Sequence, residues 1–307
     1  MIPKYFRPNS LYEALEQLAF FGDRAKVLAG GTDLIVQIRK GILQPEAIID
    51  ISALQELHRI ATSDRYVSIG ALVTYFEIIN SAELTTYAEV LTQAARTVGS
   101  NQIRSRGTIG GNLANGSPAG DVIPPLYVLN ADLRLISAVS ERWVPIIDFF
   151  LGPGKTVRRS DELIRDIRFE VLNEKPLSYF FKIGQRKGLF IAKASTAIIM
   201  VFKNDLILSC AIALGALAPT VIRVPNAEQF LINQRLTDDV ILQASQITGK
   251  ACRPITDIRS TDTYRRQVAE VIVRRGLETF AVQAGRKSVE FSRSVYGAEN
   301  KLKGGGS

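Results

Sequence analysis

Apolar residues recur along the chain with two different periods. "SLYEALEQLAFF" places Leu11, Leu15, Leu18 and Ala19 on one helical face. Ser10 reads as its N-cap, and Glu13 three residues later completes a capping box. "AKVLAGGTDLIVQIRKG" predicts a strand through Val27 and Leu28, a glycine turn and a second helix. Thr32 or Asp33 would cap that helix and Gly41 would end it. "EAIIDI" is a short buried strand, so the first sixty or so residues predict a small α/β unit.

Further on, "YVSIGALVTYFEII" gives a strand at Tyr66–Ile69 and then a helix, with Thr74 and Glu77 spaced as a capping box. "YAEVLTQAARTV" is an amphipathic helix. "VIPPLYVL" predicts a helix with Pro124 and Pro125 in its first turn. Strand signals follow in "DLRLISA", "RWVPI" and "DELIRDIRFEV", and again in "SYFFKI", "AIIMVF", "LILSCAIALGALA" and "TVIRV". Residues 262–284 read as a long helix with Tyr264, Val268, Val271, Ile272 and Phe280 near one face. The fold class is therefore α+β. A junction near Glu174–Pro176 divides residues 1–175 from 176–285, and a weaker one near His58 divides 1–57 from 58–175. The tail, 286–307, ends in linker-like "KLKGGGS".

Composition narrows the function. No run of about 18 apolar residues is present, which predicts no membrane span. The opening "MIPKYFRPNS" has no apolar signal core, so the expected compartment is cytoplasmic. The chain carries two cysteines, Cys210 and Cys252, and one histidine, His58. That is too few for an iron–sulfur cluster with four thiolates or for a typical structural zinc site. His58 reads as an ordinary surface or half-buried side chain, and Cys210 as a core residue of its strand. The net charge of +8 is spread along the chain without a zinc finger, basic zipper or RNA-recognition signature, so no nucleic acid partner is expected.

The candidate chemistry lies in "AGGTD" at 29–33 and "RGTIGGNLANGSPAGD" at 106–121. Adjacent glycines can adopt positive φ and leave N–H groups uncovered, forming a concave nest for an anion. Two facing nests would suit a pyrophosphate, and the helix after the first would favour negative charge. Neither loop is the G-x-G-x-x-G fingerprint, and no Walker lysine follows. Asp121 reads either as an N-cap for "VIPPLYVL" or as a carboxylate accepting from sugar hydroxyls.

In this order, "VLAGGTDLI", "TIGGNLANGSPAGD", "SDELIRDIRF" and "FKIGQRKGLFIAKAS" closely resemble the FAD-binding subunit of the xanthine dehydrogenase and carbon monoxide dehydrogenase family of molybdenum hydroxylases. The resemblance runs from "FRPNSLYEAL" to at least Leu277. It implies the vanillyl-alcohol-oxidase (PCMH) type of FAD domain in two lobes, with a C-terminal domain of antiparallel sheet and helices. The first phosphate loop then falls on Leu28, Ala29, Gly30, Gly31, Thr32, Asp33 and Leu34. The second falls on Thr108, Ile109, Gly110, Gly111 and Asn112, with Ser117 and Asp121 beyond. Flavin-ring positions fall on Val98 and Ile164. Val98 departs from the phenylalanine of the xanthine dehydrogenase branch. Lys182 falls where a cation would face the flavin, where it would raise the flavin's potential. A solvated strand-end lysine is the other reading. Arg186, Lys187 and Lys193 are further cations in this stretch.

The implied function is electron transfer. FAD would receive electrons from a [2Fe–2S] subunit and pass them to NAD⁺, oxygen or another acceptor. A separate molybdenum-cofactor subunit would hydroxylate the organic substrate, in a heterotrimer or a dimer of heterotrimers. The low cysteine count agrees with clusters and molybdenum on other chains. No Cys-rich insertion of the 4-hydroxybenzoyl-CoA reductase branch is present. The rival reading is a self-sufficient FAD oxidoreductase of the same fold.

Overall fold

The computed structural model describes residues 3–184, 191–253 and 262–285. The small N-terminal lobe contains β1 (Lys4–Phe6), α1 (Leu11–Phe21), β2 (Ala25–Leu28), α2 (Leu34–Arg39) and β3 (Ala47–Asp50). Its three strands are parallel, in the order β1-β3-β2. Strand β3 is central and buried along its whole length, as a run of Ala and Ile between layers requires. Ser10 caps α1 by accepting from the Glu13 N–H. The reciprocal bond of the expected capping box is displaced by one residue, because the Glu13 carboxylate accepts from Asn9 N–H. The buried face of α1 is Leu11, Ala14, Leu15 and Leu18; Ala19 is exposed, contrary to the periodicity.

The central lobe begins with β4 (Ile60–Thr62), β5 (Tyr66–Gly70), α3 (Tyr75–Asn80), α4 (Ala82–Tyr87), α5 (Glu89–Arg96) and α6 (Asn101–Arg104). It continues with α7 (Ile109–Asn115), α8 (Ile123–Val128), β6 (Asp132–Ile136) and β7 (Glu141–Pro145). The short α9 (Ile146–Phe149), β8 (Phe150–Gly152) and β9 (Lys155–Thr156) lead into β10 (Leu163–Glu170). Strands β4, β5, β6, β7 and β10 form an antiparallel sheet in the order β4-β5-β10-β6-β7, and β8 pairs with β9 apart from it. The capping box at Thr74 and Glu77 forms in full.

The C-terminal part contains β11 (Leu177–Ile183), β12 (Ala194–Lys203), β13 (Leu206–Gly215), β14 (Ile222–Arg223), α10 (Pro225–Leu231), α11 (Asp238–Ala251) and α12 (Asp262–Gln283). Its sheet is antiparallel in strand order. Alternation along β12 and β13 explains their continuous apolar runs. Ile198, Met200, Ile212 and Leu214 pack with the C-terminal helices, while Ala197, Ile199, Ala211 and Ala213 join the core of the central lobe. Both faces are thus covered. In α12 the buried face is Val268, Ala269, Ile272, Val273, Leu277 and Phe280. Tyr264 and Val271 were expected there but are 46% and 41% exposed. Among the described residues no helix is long and apolar enough to cross a membrane. The tail lies outside them.

Candidate cofactor cleft

A cleft of about 610 Å³ separates the small lobe from the central lobe. That is within the roughly 300–1,000 Å³ usual for small-molecule sites. The first glycine loop forms one wall through Ala29, Gly30, Gly31, Thr32, Asp33 and Leu34. Thr108, Gly110, Gly111 and Asn112 line the other side, together with Ile164. The two loops touch. A Cβ built on Gly30 would lie 1.8 Å from the Arg106 carbonyl oxygen, so only glycine permits this approach.

The loops differ in kind, which corrects the reading of both as nests. Only Gly31, at φ 71°, has the left-handed backbone; Gly30, Gly110 and Gly111 do not. The N–H groups of Gly30, Gly31, Thr32 and Asp33 donate to no described acceptor. They form the available anion-binding edge. The second loop is the first turn of α7. Ile109 and Gly110 donate to the carbonyls of Val73 and Ala71, and Gly111 donates to its cap, Thr108 Oγ1, at 3.1 Å. Its glycines serve close packing instead. A Cβ on Gly110 would lie 2.5 Å from that of Ala71. Gly111 is exposed and lines the cleft.

Asn112 lines this site, and its Oδ1, beside Gly120, is buried without a partner. The open N–H edge, this orphaned acceptor and the tight glycine packing suit an elongated ligand with a pyrophosphate and hydroxyl donors.

Six of the expected positions do not line the cleft. Leu28 ends β2 beneath Gly31, and Ile109 is fully buried in the central core. Val98 follows α5, half-buried against the same core, and its carbonyl accepts from Arg104. Ser117 lies in the turn after α7, where its hydroxyl accepts from Ala119 N–H. Asp121 and Lys182 pair behind the cleft wall, with Lys182 Nζ 2.6 Å from Asp121 Oδ2. Their side chains are 10% and 5% exposed. Lys182 is therefore not a solvated strand-end lysine. Asp121 is not an N-cap either, because α8 is capped at Val122 without a side-chain bond.

Burial pushes the Asp121 carboxyl above its ordinary range, and Lys182 opposes the shift. Asp121 Oδ1 is buried without a partner. The nearby Tyr75 hydroxyl, buried and close to the Asp121 charge, is also pushed well up. Tyr75 lines the cleft and meets Asn112, so the Asp121–Lys182 pair is one layer behind the ligand-facing surface.

Other lining residues gave no motif in the sequence. Gly22, Asp23, Lys26, Gly154, Arg158 and Ser160 complete the cleft. They come from segments that become neighbours only in the fold. His58 is half-buried and 4.0 Å from the Glu77 carboxylate, on the far side of the capping box. Among the described residues no group of three or more His, Cys, Asp or Glu is placed to hold a metal. Arg186 and Lys187 lie outside the described residues, and Lys193 N–H donates to the Ile183 carbonyl.

Comparison with known proteins agrees with this architecture. Residues 2–169 match the family described as FAD binding domain in molybdopterin dehydrogenase. Residues 179–280 match the CO dehydrogenase flavoprotein C-terminal domain. The glyceraldehyde dehydrogenase medium chain of Sulfolobus acidocaldarius is 34% identical over 277 residues, covering 90% of this chain and 98% of that one. The xanthine dehydrogenase FAD-binding subunit of Escherichia coli O157:H7 is 29% identical, covering 92% of this chain and 97% of that one. A solved carbon monoxide dehydrogenase from Hydrogenophaga pseudoflava superposes with a TM-score of 0.86 at 31% identity, covering 91% and 98% of the two chains.

Proposed function

The chain belongs to the FAD-binding subunits of the molybdenum hydroxylases, and from that premise we propose that it holds one noncovalent FAD in the interlobe cleft. The observation that carries this is the backbone contact of Gly30 with Arg106, which closes the cleft around an open row of N–H groups. The proposed phosphate contacts are Ala29–Leu34 on one side and Thr108, Gly110, Gly111 and Asn112 on the other, with Ile164 at the flavin end. Leu28, Val98, Ile109, Ser117 and Asp121 stand outside the lining and are not direct contacts in this reading.

Lys182 supplies the opposite charge that lets a buried Asp121 ionise. The pair stands behind Tyr75 and Asn112, and so acts on the ligand-facing wall through them. When bound, the flavin supplies exchange between one-electron and two-electron carriers. The protein's own task is to hold it, exclude water and fix its surroundings.

Electrons would arrive from a [2Fe–2S] subunit and leave to NAD⁺, oxygen or another acceptor. Hydroxylation would belong to a molybdenum-cofactor subunit, in a heterotrimer or a dimer of heterotrimers. The division into 1–57, 58–175 and 176–285, with a tail at 286–307, is part of the same proposal. It is supported by the three separate main sheets.

Purified full-length chain should release close to one equivalent of FAD on acid or heat treatment. Flavin that stays on the polypeptide, or none at all, would overturn the cofactor assignment. Stopped-flow mixing of the FAD-loaded chain with purines, aldehydes or N-heterocycles should leave the flavin oxidised. Rapid bleaching would make the chain a complete oxidoreductase.

A further inference from the structure

Arg158 stands where the 157–162 segment of the central lobe faces the small lobe, and it lines the cleft. Its guanidinium is held in place. Nη1 donates to the carbonyls of Arg159 at 2.9 Å and Glu162 at 2.7 Å. Nε is buried and has no partner. Nη2 donates to no described group, yet it is not among the buried unpartnered atoms, so that edge is open. The segment itself is fixed by Glu162, which accepts from Arg142 Nε and Nη2 and from Arg159 N–H.

The surroundings indicate which part of a ligand belongs here. Asp23 and Lys26 of the small lobe line the same cleft. The lobes meet at this corner, since a Cβ built on Gly22 would lie 3.8 Å from Ser160 Oγ. Between Gly22 and the Gly30 loop run the four residues of β2, about 13 Å of extended chain. That is the reach of a nucleoside beyond the N–H edge. The three charges at this corner suit a ribose phosphate: the guanidinium fork matches phosphate oxygens or purine acceptors, and a carboxylate accepts from ribose hydroxyls.

We infer that Arg158 is a dinucleotide-selecting residue whose open guanidinium edge donates to the adenosine monophosphate half of the bound cofactor. This rests on the FAD reading above. It adds a ligand-binding residue that none of the glycine motifs contains.

The test uses full-length chain stripped of flavin, with FAD and ADP as probes. Arg158→Leu should raise the Kd for FAD at least tenfold, read by flavin fluorescence. Millimolar ADP should compete with FAD on the wild type and much less on the variant. An unchanged Kd, or equal competition by ADP on both proteins, overturns the inference. Should the leucine variant fail to fold, Arg158→Lys keeps a cation and donor but lacks the second edge. It must show the same loss, and retention of tight FAD and ADP competition overturns the inference. Wild-type chain that binds no FAD would instead sink the FAD reading itself.

Discussion

Gly30 and Arg106 meet backbone to backbone: a Cβ on Gly30 would lie 1.8 Å from the Arg106 carbonyl oxygen and 3.1 Å from Gly107 Cα. Neither partner is a flexible side chain that can move aside. This contact sets the width of the cleft where the open N–H groups lie, so packing and ligand geometry are coupled at one residue.

Gly30→Ala should therefore lower both stability and flavin content. Overpacking of this kind costs about 1–3 kcal/mol, which for a chain of this size is a fall in Tm of about 5 °C. Gly152→Ala is the matched control, because a Cβ there meets nothing within 4 Å. Calorimetric scans of both variants, with the FAD-to-protein ratio from absorbance, check the pair. Equal behaviour of the two would refute the contact.

Gly111 calls for the opposite pattern. It sits in the first turn of α7, exposed toward the cleft, where an added Cβ would meet only Thr108 Oγ1 at 2.9 Å. That oxygen caps the Gly111 N–H, so shifting it forgoes a cap worth about 1 kcal/mol, while replacing a helical glycine by valine changes little in propensity. Gly111→Val should keep stability within about 1 kcal/mol while weakening FAD at least tenfold, or about 1.4 kcal/mol. Titration of flavin-free protein followed by fluorescence gives the number. Undiminished affinity would remove the second loop from the site.

What the sequence makes legible here is whatever depends on near neighbours. The Thr74–Glu77 capping box, the strand at β5 and the α/β order of the small lobe follow from spacing alone. The glycine loops were visible as a pair, but their division of labour was not. Whether an N–H group is open depends on Val73 and Ala71, which lie four helices earlier in the chain. Asp121 illustrates the same limit. Its position before "VIPPLYVL" resembled a cap, but its partner is Lys182, 61 residues later. Tyr264 and Val271 were grouped with Val268 and Ile272 by apolar character, yet α12 meets the sheet and α11 along a narrower stripe. Arg158 gave no motif because its meaning comes from Gly22 and Asp23 in the facing segment of the small lobe.

Glu162 makes a prediction about acid. It is 2% exposed and accepts a two-pronged bond from Arg142 at 2.8 and 2.9 Å. Burial raises its pKa, but the bonds from Arg142 and Arg159 outweigh that, and the net shift is downward. A lowered folded pKa contributes stability above the ordinary carboxylate value of about 4.3, and this is lost as pH falls through the folded value. Glu162→Gln should cost about 1–3 kcal/mol at pH 7, less than a fully buried pair because Arg142 is partly solvated. The penalty should shrink below about pH 4. Urea unfolding at pH 7 and pH 3.5 checks this. A penalty of equal size at both would show that packing, not charge, is what the variant loses.

The Asp121–Lys182 pair predicts the reverse pH slope. Burial raises the Asp121 pKa, and the Lys182 charge offsets part of the rise. A raised folded pKa favours the protonated form, so this contribution to stability is full below the unfolded value of about 3.9 and lost as pH rises through the folded one. Lys182→Met removes the offset and leaves a carboxylate that must either protonate or remain buried as a lone charge. The variant should come nearest to wild type at the acid end of the range, where the protonated form of Asp121 is most populated in both. Its deficit should then widen by up to about 1.4 kcal/mol per pH unit. By pH 7 the deficit should reach about 3–5 kcal/mol, the range for breaking a buried pair. Adding Asp121→Asn to Lys182→Met removes the titrating group, so the double variant should recover most of that loss and show a flat profile. The measurement is urea unfolding from pH 4 to 8 on flavin-free protein, which keeps ligand binding out of the comparison. A pH-independent deficit in the single variant, or no recovery in the double, would mean that Lys182 stabilises this part of the fold through its other contacts and that Asp121 does not depend on its charge.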